Sequence, residues 1–188
     1  MIENKVIWLF GLSGAGKSTL ANLVSKKYEQ RNVKTILLDG DILRKGINRA
    51  LGFSKEDRSE NVRRIAEICK LMLKVGVVPI VAAITPYESD RIAIKEIIGG
   101  DNILLVHVKS TIDICEERDP KGLYTLARKG KIKKFTGISD IFEETKLSSI
   151  LIDTRNDSVD ESINKLLKSL SIKNRKLMNN DKVESSFL

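Results

Sequence analysis

Eight residues near the start of the chain, Gly11, Leu12, Ser13, Gly14, Ala15, Gly16, Lys17 and Ser18, satisfy the spacing G-x-x-x-x-G-K-[ST]. The chemistry such a run performs is to hold a phosphate chain. Glycines allow close backbone approach and unusual dihedrals, and N–H groups at a helix start face the anion. The lysine bridges the outer phosphates and the serine hydroxyl oxygen goes to Mg2+. A nucleotide is thus the expected ligand, with Thr19 carrying the run into the helix. The pattern requires a strand before it and a helix after it. Residues 5–10 read as a short buried strand, and 17–30 as a helix with Leu20, Leu23 and Val24 at helical spacing.

A second group is Asp39-Gly40-Asp41, directly after the apolar run 35–39. Proteins with this phosphate loop commonly hold Mg2+ partly through an aspartate at a strand end. The apolar run 77–84 ends in no acid, so Asp39 and Asp41 are the candidates, with Ser18, for the metal, partly through water. One of them is also a candidate acceptor for the proton of a hydroxyl that receives phosphate. The competing reading is a turn in which Asp41 caps a helix over 42–47.

A third feature is Thr85, a hydroxyl where the run 77–84 surfaces. Thr85-Pro86-Tyr87-Glu88 fits a capping box with proline at the first helical position, opening a helix over 85–98. A fourth is the stretch 121–137, which carries six basic residues (Lys121, Arg128, Lys129, Lys131, Lys133, Lys134) and no acidic one, with glycines as hinges.

The elements that position these groups alternate. Ser54, with Asp57 three residues on, starts a long helix that runs to a C-cap at Gly76; a strand over 77–84 follows. Beyond the helix over 85–98 come a strand over 103–108, a short helix over 111–118, a strand over 149–153 and a helix over 158–170. This order implies one α/β domain, a mostly parallel sheet with helices on both faces, over residues 1–170. Its ligands are expected at the carboxyl ends of the strands. The segment 171–188 is polar with little periodicity and reads as a disordered tail.

At 188 residues, 41% hydrophobic and 31% charged, the chain is an ordinary globular protein with one core. Cys69 and Cys115 match no metal spacing and read as free buried thiols. The apolar run 6–10 is too short for a signal sequence or a membrane span, so a cytoplasmic protein without membrane contact is expected. The net charge of +8 suits nucleic acid as well as anionic small molecules. Because the charge is concentrated in 121–137 and aromatic–basic interleaving is lacking beyond Phe135, small nucleotides are favoured over nucleic acid.

Gly11 to Ser18, the stretch Leu38 to Arg44, Leu51 to Arg58 with Glu60 to Arg64, Cys115 to Tyr124 and Lys134 to Ile138 together resemble the adenylylsulfate kinase (APS kinase) family, in the family's order, over residues 4–170. The resemblance implies transfer of the ATP γ-phosphate to the 3′-hydroxyl of adenosine 5′-phosphosulfate (APS). It places Asp39, Asp41, Arg44, Phe53, Arg58, Asn61 and Lys121 around the acceptor, with Phe53 and Phe135 sandwiching its adenine. Phe135, among lysines, is not expected in the core. Arg118 falls to the ATP side, 119–138 becomes a cationic lid, and a homodimer is plausible for the family. The family's serine at position 85, often assigned as a phosphorylated intermediate, makes Thr85 a candidate phosphoryl carrier beside its capping role. Departures are Ala83 where the family typically has phenylalanine, Thr85 itself, Ser139 to Glu143 where it has Asp/Ser-x-Pro-Tyr-Glu, and Ala50 for an aspartate. The smaller side chain leaves a second acceptor open, such as a cytidine diphosphate derivative.

Overall fold

The computed structural model describes residues 4–170; the segment 171–188, expected as a tail, lies outside the described residues. Five strands, β1 (Val6–Phe10), β2 (Thr35–Asp39), β3 (Val78–Ala82), β4 (Ile103–Lys109) and β5 (Ile150–Asp153), form one sheet in the order β2-β3-β1-β4-β5. Every pairing is parallel, with Ile7 opposite Ile80 and Leu104, and Asp39 opposite Ala82. All residues of β1 and β3 are buried, as the near-continuous apolar runs of a sheet covered on both faces demand.

Side chains alternate across a strand, so β1 feeds two cores. Ile7 and Leu9 pack with Leu20 and Val24 of α1 (Lys17–Glu29) and with Leu166 of a helix over 159–170, α7. Val6, Trp8 and Phe10 pack on the other face with Val62, Ile65 and Cys69 of α3 (Lys55–Lys74) and with Ile94 and Ile98 of α4 (Glu88–Ile98). A fully buried aliphatic such as Ile65 contributes about 2 kcal/mol. Cys69 and Cys115 are free and buried, as expected.

The ends of the helices carry the sequence signals in most places. The Ser54 hydroxyl accepts the Asp57 N–H at 3.1 Å, and Gly76 follows α3 at φ 72°, the left-handed conformation that ends helices. Ser158 and Glu161 form a reciprocal capping box on α7. One competing reading and one expectation fail. The helix after the Asp-Gly-Asp turn is α2 (Gly40–Lys45), and its cap is Asp39, which accepts the Asp41 N–H at 2.9 Å; Asp41 lies inside the first turn. The helix expected from residue 85 begins at Glu88. Two further short helices are α5 (Ile112–Arg118) and α6 (Leu123–Arg128), the latter inside the basic stretch.

Candidate active site

The carboxyl ends of β1, β2 and β3 open into a cavity of about 1140 Å³. A single ligand pocket commonly measures ~300–1,000 Å³, so this one lies just above the usual range. At one end is the loop between β1 and α1. Gly11 stands at φ 147°, and a Cβ there would lie 2.2 Å from the Val108 carbonyl oxygen; at Gly14, φ 76°, it would meet the Cys115 carbonyl at 2.9 Å. Only glycine fits either place. Gly16 precedes α1 in the left-handed conformation with no side-chain cap, which leaves the first N–H groups of a 13-residue helix open to an anion.

Lys17 is buried and its Nζ donates to the Leu12 carbonyl at 2.7 Å. Burial pushes its ammonium down to about 8, against the opposing pull of Asp41 and Asp39. An anion at the loop would favour the charged form. The Ser18 hydroxyl donates to Asp39 Oδ2 at 2.6 Å, joining the first turn of α1 to the carboxyl end of β2. Asp39 is thereby held by two donors, Ser18 through Oδ2 and the Asp41 N–H through Oδ1. Asp41 is exposed and pairs with Lys121 from the basic stretch.

Thr85 does not cap a helix. Its hydroxyl accepts a hydrogen bond from the Trp8 indole at 2.9 Å, it is 2% exposed, and its backbone sits at φ 46°. A β-branched residue there is strained, at a cost on the order of 1–3 kcal/mol. The surroundings hold it in place: Arg91, fully buried, donates to the Thr85 carbonyl at 2.8 Å and to the Glu143 carbonyl at 2.7 Å, between the rings of Phe10 and Phe142. The orphan N–H at the start of α4 goes instead to the Glu143 carboxylate, with Glu88 N to Oε2 at 2.6 Å, while Glu88 turns to Arg91. Local sequence cannot reveal a cap that arrives from 55 residues away.

The far end of the cavity gathers Arg44, Phe53, Arg58 and Asn61. Phe53 is exposed, with the guanidinium of Arg44 4.6 Å and that of Arg58 5.6 Å from its ring centre. Arg44 is fixed by the Gly52 carbonyl at 2.7 Å, and Arg58 by the Lys134 carbonyl at 2.5 Å and Asp140 at 3.4 Å. Phe135 corrects the expectation that it stands outside the core. It is 8% exposed and meets Tyr124 edge-on at 4.9 Å, because its carbonyl accepts the N–H groups of Ile138, Ser139 and Asp140 and so folds it inward. It still lines the cavity, as Phe53 does.

Part of the basic stretch lines the cavity. Lys121, Lys133 and Lys134 line it, whereas Arg128 turns away to Glu116 at 2.8 Å and Lys129 and Lys131 are exposed outside it. Tyr124 of α6 ties the stretch to the phosphate loop by donating to the Ser13 carbonyl at 3.0 Å. Arg118 lines the cavity beside β5, donating to the Thr154 carbonyl at 2.6 Å. Thr154 in turn donates to the Ala15 carbonyl at 3.0 Å. Trp8, Asn48 and Thr154, to which no sequence signal points, support the site, as do Asp140 and Glu143 from the stretch that departs from the family pattern.

Residues 3–153 match the family model described as adenylylsulphate kinase. An adenylyl-sulfate kinase of Pseudomonas aeruginosa is 47% identical over 165 residues, 88% of this chain and 84% of that protein. One of Oceanobacillus iheyensis is 44% identical over 171 residues, 91% and 86% of the two chains. Among solved structures, the Mycobacterium tuberculosis APS kinase in complex with AMPPNP and APS superposes with a TM-score of 0.85 at 36% identity, covering 91% of this chain and 99% of that one. A gluconokinase of Sinorhizobium meliloti, 16% identical at a TM-score of 0.65, shares the fold alone. Since the matched region takes in the phosphate loop, the aspartate pair and the basic stretch together, the chain belongs to the adenylylsulfate kinase family.

Proposed function

We propose that this protein transfers the γ-phosphoryl group of ATP to the ribose 3′-hydroxyl of APS, giving ADP and the sulfate donor PAPS. The observation that carries the reading is a single cavity with a phosphate loop at one end, an aromatic and arginine cluster at the other, and Asp39 anchored between them by Ser18. The relatives' names and the nucleotides bound by the M. tuberculosis enzyme favour this acceptor over a cytidine diphosphate derivative.

Gly11 to Thr19 bind the ATP phosphates, and Arg118 supports the nucleotide's other end. Arg44, Arg58, Asn61 and Lys121 engage acceptor oxygens, since guanidinium groups match phosphate and sulfate bidentately. Phe53 and Phe135 grip the base by stacking, worth ~1–3 kcal/mol per base. Asp39 takes the proton of the 3′-hydroxyl as its oxygen bonds to the γ-phosphorus and the bond to the β,γ-bridging oxygen breaks toward ADP. The segment 119–138 acts as a lid that brings positive charge and excludes water, which matters because charge spreads over the transferred oxygens.

Ser18, Asp39 and Asp41 fit Mg2+. Their oxygens are hard donors, two of them already meet at 2.6 Å, and among the described residues no group of three acidic, histidine or cysteine side chains could hold a metal alone. That suits an ion which keeps waters and takes phosphate oxygens as ligands. When bound, it neutralises charge on the ATP phosphates. Direct in-line transfer is preferred to a phosphothreonine at Thr85, whose hydroxyl is already engaged by Trp8.

A cytoplasmic location and homodimeric assembly complete the proposal; no helix among the described residues is long and apolar enough to cross a membrane, and light scattering tests the dimer. Turnover with ATP and a panel of acceptors tests the chemistry: APS is expected to be consumed with one ADP formed per PAPS, and preference for a cytidine diphosphate conjugate would overturn the acceptor assignment.

A further inference from the structure

Asn61 lines the acceptor end of the cavity, and behind it, outside the cavity, Asn48 is fully buried. The two amides touch: Asn48 Nδ2 donates to Asn61 Oδ1 at 2.9 Å. The other end of Asn48 faces Arg64, whose Nη1 lies 3.5 Å from Asn48 Oδ1 and 3.4 Å from the Ile47 carbonyl. Arg64 is held by Glu60, with Nε to Oε1 at 2.7 Å.

The two ends of an amide have the same shape, so the hydrogen-bonding network decides which is which. Here the decision propagates from one fixed point. A guanidinium only donates, so Asn48 must turn its oxygen to Arg64 and its NH2 to Asn61. Asn61 must then accept with its oxygen, which leaves its own NH2 for the cavity.

We infer that Asn48 is a positioning residue that locks Asn61 with its NH2 toward the acceptor nucleotide, so that Asn61 recognises an acceptor-only oxygen of the phosphosulfate or ribose. The inference rests on the proposed placement of the acceptor at Asn61. It assigns the sense of that contact to the Glu60–Arg64–Asn48 relay. A flipped Asn61 would present its carbonyl oxygen to an anion and repel it.

The test is steady-state kinetics on purified Asn48→Asp, Asn48→Ala, Asn61→Ala and the double alanine variant, with folding checked by thermal unfolding. The carboxylate introduced by Asn48→Asp accepts from Arg64 and from Asn61 alike, so that variant reverses the Asn61 amide. It is expected to raise the KM for APS by about tenfold or more and further than Asn48→Ala does, with the KM for ATP changed less than about twofold. Asn48→Ala is expected to add almost nothing in the Asn61→Ala background. If Asn61→Ala raises the KM for APS but Asn48 variants leave it unchanged, or raise it additively with Asn61→Ala, the relay is wrong. If Asn61→Ala itself leaves the KM for APS unchanged, the acceptor placement is wrong instead. Should Asn48→Asp fail to fold, the alanine pair and its double variant decide the matter.

Discussion

The indole Nε1 of Trp8, in the central strand, donates to the Thr85 hydroxyl at 2.9 Å and so ties the rim of the nucleotide cavity to the core. Thr85 therefore has a structural role of its own, distinct from helix capping and from covalent chemistry. Thr85→Ala leaves a buried indole N–H without its acceptor and is expected to cost about 1–3 kcal/mol of stability, with turnover largely retained; Thr85→Ser keeps the acceptor and stays close to wild type. Denaturant unfolding and turnover of both variants check this. Near-complete loss of turnover in Thr85→Ala, restored in Thr85→Ser, would favour a phosphorylated intermediate.

Glu143 works as the remote cap of α4, accepting the Glu88 N–H. Its own N–H donates to the Pro86 carbonyl and its carbonyl accepts from Arg91. Glu143→Ala is expected to cost about 1–2 kcal/mol, and Glu143→Gln, which keeps an acceptor oxygen, clearly less. Unfolding midpoints that fall equally for both variants would contradict the cap.

His107 gives stability a pH dependence. It is buried between Phe10 and Phe142, at ring distances of 4.8 and 5.8 Å, and burial holds its imidazole below the ordinary value of 6.5. As pH falls through that value the unfolded chain takes up the proton first. The contribution of His107 is thus fully present above 6.5 and is lost as pH falls toward the depressed folded value. The denaturant midpoint is expected to drop as pH falls below 6.5, and the slope to flatten in His107→Gln.

Lys121 and Asp41 form an exposed ion pair, with side chains 52% and 60% accessible. Such a pair contributes at most about 1 kcal/mol to stability. If Lys121 binds the acceptor, Lys121→Met should leave unfolding almost unchanged and raise the KM for APS by about tenfold or more, as loss of a hydrogen bond from a charged group does. A change confined to the KM for ATP would move Lys121 to the donor side.

The parallel sheet, the phosphate loop and the placing of Asp39 beside Ser18 were legible because local signals set them: apolar runs, the spacing of glycines, and a carboxylate at a strand end. What sequence reading misplaced depended on partners distant in the chain. Thr85 looked like a cap because Glu88 stands three residues on, yet Trp8, 77 positions away, takes its hydroxyl. Phe135 looked exposed among lysines, yet the tight turn behind it folds the ring onto Tyr124. Asn48 gave no signal at all, since a single amide in a polar turn resembles any other until Asn61 and Arg64 stand beside it.

The most direct measurement is a single-turnover reaction with γ-labelled ATP and APS, with both the nucleotide products and the protein followed for label. The account predicts that the label passes to the 3′-phosphate of PAPS, with none bound covalently to the protein at any time, and that Asp39→Asn slows this step strongly. Label that fails to reach PAPS, or that resides on Thr85 before reaching it, would contradict the account.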